Sequence, residues 1–101
     1  MKRKEFTCEQ ERNEYIDTLG AIIYRYEMSS EKSLLIAFVD YRKVQLYVMQ
    51  ENAITYVSTQ VIKTEEYSVF IRNKYVTYRG EKIYLRECKE YVSAIEERYA
   101  R

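Results

Sequence analysis

Residues 67–85 read YSVFIRNKYVTYRGEKIYL, short runs of β-branched and aromatic residues broken at Asn73-Lys74 and at Gly80-Glu81. Asparagine tolerates positive φ and glycine suits the first position of a type II′ turn, so both breaks read as two-residue hairpin loops. That frame pairs Arg72 with Tyr75, Ile71 with Val76 and Phe70 with Thr77, then Arg79 with Lys82, Tyr78 with Ile83 and Thr77 with Tyr84. Paired residues share a face. One face then collects Val69, Ile71, Val76, Tyr78, Ile83 and Leu85, a core face. The opposite face collects Phe70, Arg72, Tyr75, Arg79, Lys82 and Tyr84, aromatic rings interleaved with cations.

Upstream, the same β-branched and aromatic enrichment places strands near 33–39, 43–49 and 54–62, in addition to 67–72, 75–79 and 82–85. Val44, Leu46 and Val48 alternate with Lys43, Gln45 and Tyr47, which predicts one buried and one wet face for that strand. Toward the N-terminus, Thr7 and Gln10 have the form of a capping box, and Tyr15, Leu19, Ile22, Ile23 and Tyr26 follow at helical spacing. Gly20 interrupts this helix at a cost of about 1 kcal/mol relative to alanine, and the alternative is a helix ending there with a strand over 21–27. At the other end Cys88, Tyr91, Val92, Ile95 and Tyr99 form an apolar stripe that predicts a helix over 86–101. The fold class expected is α+β: an antiparallel meander of five to six strands with an N-terminal and a C-terminal amphipathic helix packed on one face.

A chain of 101 residues fits a single domain, 1–101, with residues 1–6 as a basic arm. Hydrophobic residues at 47% and charged residues at 33% support a buried core under a solvated surface. Seventeen basic and sixteen acidic side chains nearly cancel, so no global field draws the chain to nucleic acid or to an anionic membrane. The longest apolar run, Leu34 to Val39, is too short to span a bilayer, and Lys2-Arg3-Lys4 is followed by Glu5 rather than by a signal-peptide core. The expectation is a cytoplasmic protein without membrane partners. The dominance of Lys, Glu, Ile and Tyr suggests an AT-rich coding sequence of the kind small phage, viral or mobile-element genes carry.

There is no histidine, which removes the commonest general base near neutral pH. Cys8 and Cys88 alone cannot build a four-ligand zinc site, and they are expected reduced, a bridge between the terminal helices being the alternative. Ser29 and Lys32 have serine-x-x-lysine spacing without the companion motifs of lactam-binding enzymes. Gly20 and Gly80 lie too far apart for a glycine-rich phosphate loop, and Glu65-Glu66 reads as solvated turn charge. No enzyme, cofactor or metal is expected.

What remains is contact. Tyr and Arg are the usual anchors of protein interfaces, so Phe70, Arg72, Tyr75, Arg79, Lys82 and Tyr84 are the candidate binding residues of a small accessory or inhibitor protein. A homodimer is the simplest such assembly. The alternative is single-stranded nucleic acid, with rings stacking bases and cations meeting phosphates; Lys2-Arg3-Lys4 would then add a phosphate-contacting arm.

Overall fold

The computed structural model describes residues 2–64 and 70–91. Its centre is the apolar run of the sequence: β3 (Lys32–Phe38) pairs antiparallel with β4 (Lys43–Gln50), and β4 with β5 (Ala53–Val61). The β3–β4 turn is fixed by Asp40, whose Oδ1 accepts from the backbone N–H groups of Arg42 and Lys43 at 2.7 and 2.8 Å. Those donors favour the ionised carboxylate and hold its pKa below the ordinary value. β1 (Arg3–Glu5) flanks β5, β2 (Ile23–Glu27) flanks β3, and β9 (Lys89–Glu90) extends the far edge, giving the order β1-β5-β4-β3-β2-β9. A smaller antiparallel sheet holds β6 (Lys63–Thr64), β7 (Lys74–Tyr78) and β8 (Glu81–Tyr84).

Side chains alternate across the large sheet, so its two faces feed two cores. Leu34, Ile36, Phe38, Val44 and Leu46 pack against Ile62, Val76, Ile83 and Leu85 of the small-sheet layer. On the other side Leu35, Ala37, Tyr47, Met49 and Ile54 meet Ile16, the buried residue of α1 (Glu9–Ile16), with Phe6, Tyr15, Leu19 and Tyr91 at the margin. Every residue from Ser33 to Phe38 is therefore buried. The wet face expected of strand 43–49 is covered: Tyr47, on that face, is 8% exposed.

This arrangement overturns the α+β expectation of a sheet carrying two terminal helices on one face. The described residues form nine strands in two sheets and one α-helix, with sheet against sheet on one side and the helix on the other. α1 stops at Ile16, and Ile23 to Tyr26, the far end of the predicted helical stripe, lie in β2. Ile23 and Tyr26 consequently point to opposite faces, Ile23 toward the helix core and Tyr26 toward the small sheet. The capping residue is also displaced: Cys8 is the N-cap, and the Thr7 backbone N–H and hydroxyl donate to Glu11 rather than engaging Gln10. At the C-terminal end Leu85–Glu87 is a 3-10 turn and Lys89–Glu90 a strand where a helix was expected, while the rest of that predicted helix, 92–101, lies outside the described residues. Pairing with Tyr24 and Arg25 supplies backbone partners for Glu90 and Lys89, and this tertiary edge outweighs the local helical spacing. Among the described residues no helix is long and apolar enough to cross a membrane.

Gly20 marks the point where the chain leaves the helix for the sheet. A Cβ there would stand 2.6 Å from the Phe38 carbonyl oxygen, a backbone atom held by its strand. Gly20→Ala is therefore expected to destabilise the protein by about 1–3 kcal/mol, the range for forced overpacking, and a thermal melt compared with wild type measures it.

β5 joins the two sheets. Its pairing with β4 shifts between Leu46 and Tyr47, so that Val57 is an extra residue against the partner strand. Such a bulge bends a strand. Beyond it the chain runs through Ile62, whose N–H donates to the Arg42 carbonyl at 2.6 Å, directly into β6 of the other sheet.

Candidate interaction surface

The β7–β8 hairpin carries the centre of the predicted surface in a frame different from the one expected. Tyr75 pairs with Tyr84, Val76 with Ile83, Thr77 with Lys82 and Tyr78 with Glu81. The loop is therefore Arg79-Gly80, with φ of 52° and 80°, and both residues in the positive-φ region define a type I′ turn. The sequence reading assumed that a lone glycine takes the first loop position; here it takes the second, and Arg79 accepts the left-handed conformation. The upstream turn at Asn73-Lys74 is also absent. Ile71–Asn73 is a 3-10 turn, Lys74 opens β7, and the strand lying beside β7 is β6, with Lys63 opposite Tyr75. Of the expected strand 67–72, residues up to Val69 lie outside the described residues.

Residue parity nevertheless survives within the hairpin. Val76, Ile83 and Leu85 are 1%, 4% and 1% exposed, so the inner face is the core face. Tyr75, Lys82 and Tyr84 share the outer face. There the two tyrosine rings lie 5.2 Å apart at 48°, the Lys82 ammonium sits 5.0 Å from the Tyr75 ring centre, and the Arg86 guanidinium 4.0 Å from that of Tyr84. The result is a ladder of cation, ring, ring, cation. Cation–π contacts contribute about 0.5–1 kcal/mol each at exposed sites, so the ladder stiffens the face without closing it off.

The remaining candidates divide. Arg72 joins the ladder through its Nη2, which donates to the Arg86 carbonyl at 3.4 Å. Phe70 stands at the head of the same 3-10 turn with 71% of its surface exposed, and Ile71 is 38% exposed instead of buried as expected. Arg79 leaves the group: at the hairpin tip its guanidinium lies 5.4 Å from the Tyr78 ring and lines clefts between the two sheets.

Arg86 is the member the sequence reading missed, standing as the first residue of the helix expected over 86–101. A local signal was available. Glu87 stands three residues after Tyr84, and its Oε2 accepts from the Tyr84 N–H at 3.0 Å, the reach-back that starts a short helical turn at Tyr84 and directs Arg86 over the ring.

The cysteines are both free and differ in environment: Cys8 is exposed, and Cys88 is half-buried with its Sγ 3.5 Å from the Tyr84 carbonyl. Burial, followed by the Glu87 charge, pushes the Cys88 thiol up to about 11. Thiolate is the reactive form. Iodoacetamide at pH 8 is expected to label Cys8 in the native protein and Cys88 only after denaturant is added, counted as added mass.

No family model, no curated protein and no solved structure matches the chain.

Proposed function

We propose that this protein is a small non-enzymatic interaction module that binds an acidic protein surface through the outer face of its three-stranded sheet. The observation that carries this reading is the ladder Lys82–Tyr75–Tyr84–Arg86 beside the exposed Phe70. Rings held rigid by flanking cations, next to an exposed apolar anchor, are the composition of an interface centre. Each ring already has a cation against it, which reduces the π-surface available to a partner. A nucleobase needs an open face to stack, so the geometry favours a protein ligand over single-stranded nucleic acid. Self-association through a twofold axis on this face would bring two cation-bearing faces together, and an acidic partner is preferred on that ground.

The test is affinity capture from the source cells with wild-type protein and two variants, Phe70→Ala/Tyr84→Ala and Arg86→Glu/Lys82→Glu. A protein retained by wild type and lost by both variants supports the reading. A partner retained by both, a salt-sensitive oligonucleotide complex instead, or a dimer by light scattering that the variants dissociate would replace it.

A further inference from the structure

On the opposite side of the molecule α1 is too short to cover the large sheet, and an open-sided pocket of about 490 Å³ lies beside it. Lys2, Lys4, Tyr15, Gln45, Tyr47, Ile54 and Tyr56 form its walls. The basic N-terminal residues thus have a defined place. β1 pairs with β5, Lys4 stands opposite Ile54, and the Tyr56 N–H donates to the Lys2 carbonyl at 3.0 Å, so Lys2 and Lys4 share one face of an ordered edge strand.

The pocket's chemistry is specific in two respects. Its charged residues are both lysines, with no carboxylate among the walls, and the Lys4 ammonium is held 4.6 Å from the Tyr15 ring centre at one side. Its aromatic walls form a corner: the Tyr47 and Tyr56 rings stand 5.7 Å apart at 67° over the buried Ile54. Tyr47 is buried and Tyr56 only half-buried, so a planar ring entering that corner stacks on Tyr56 and meets the rim of Tyr47, the two geometries aromatic pairs prefer. The Tyr47 hydroxyl donates to Gln45 Oε1 at 2.8 Å, which leaves the Gln45 amide nitrogen as a donor toward an anion. Burial raises the pKa of Tyr47, so this phenol stays neutral and does not repel a negative ligand. The volume falls within the range of small-molecule sites, about 300–1,000 Å³, and the mixture of apolar walls with a few polar groups is their usual composition.

We infer that this pocket binds a small planar aromatic anion, an aryl carboxylate, sulfonate or phosphate ester, with its ring against Tyr56 in the corner that Tyr47 closes and its charge on Lys2 and Lys4. The ligand is recognised by a face remote from the proposed protein interface, and the two sites fail independently.

The experiment titrates the full chain with naphthalene-2-sulfonate and, separately, with the cation 2-naphthylmethylammonium, by calorimetry and amide NMR. Expected is saturable one-to-one binding of the sulfonate, with shifts centred on Lys4, Tyr15, Gln45, Tyr47 and Tyr56, and at least tenfold weaker binding of the cation. Lys2→Met/Lys4→Met should weaken the sulfonate at least tenfold while the dispersed amide spectrum persists. Equal binding of the two probes, shifts centred on Tyr75 and Tyr84, unchanged affinity in the double variant, or no saturation would each overturn the assignment. The comparison of opposite charges on wild-type protein reads the same property without depending on the variant's folding.

Discussion

Leu34→Ala and Leu35→Ala are each expected to lower the unfolding free energy by about 2–5 kcal/mol, the range for large-to-small substitution in a packed core. The pair is informative because the two residues are adjacent in β3 and point in opposite directions, Leu34 into the layer shared with the small sheet and Leu35 into the layer under α1. Both are 0% exposed. In a two-layer protein one of two neighbouring strand residues faces solvent, and its truncation is nearly silent. Chemical denaturation of the two variants therefore separates three layers from two: comparable large losses are expected, and a loss confined to one of them would contradict the architecture. Against a total stability of about 5–15 kcal/mol, either change removes a large fraction of the folded population's margin.

Gln60→Leu is expected to cost roughly 2–4 kcal/mol despite preserving side-chain volume. The Gln60 amide spans from β5 to the edge of β7, its Nε2 donating to the Thr77 carbonyl at 2.6 Å and its Oε1 accepting from the Thr77 N–H at 3.1 Å. One side chain thereby completes the ladder that β6, with Lys63 and Thr64 only, is too short to supply. Leucine would leave both Thr77 backbone groups without these partners, and an unsatisfied donor or acceptor costs about 1–3 kcal/mol where it is buried. Gln60→Ala admits water and should be milder than leucine. Amide hydrogen exchange at Thr77 should accelerate in both variants, and an unchanged rate would refute the role.

The sequence was legible where side-chain alternation acted alone. Val44, Leu46, Val76 and Ile83 face the core their parity predicts. It misled where two elements compete for the same residues. Leu19, Ile22, Ile23 and Tyr26 satisfy helical spacing, yet the close approach of Gly20 to Phe38 and the pairing of Ile23 with Ala37 commit the segment to the sheet. Gly20 was the local sign of this outcome, and the alternative of a strand over 21–27 is the one that β2 bears out, but the pattern contains no trace of the tertiary partner itself. Cys88 and Tyr91 fit a helical stripe equally well, and Lys89 and Glu90 between them pair with β2. Of the candidate surface, the outward set Tyr75, Lys82 and Tyr84 was readable from period-two alternation, whereas Arg79 belongs to the hairpin loop instead of the strand and Arg86 was hidden by the helix expected over 86–101. Lys2 and Lys4 looked like a solvated arm because a strand of three residues is too short to leave a periodic signal.

The bend at Val57 has a consequence for how the molecule comes apart. Because two strands separated by Ile62 alone, β5 and β6, serve first one sheet and then the other, neither layer is expected to peel off while its neighbour stays intact. Loss of structure is thus expected to be all-or-none, with the Gln60 amide, which faces β4, exchanging only when the whole chain opens.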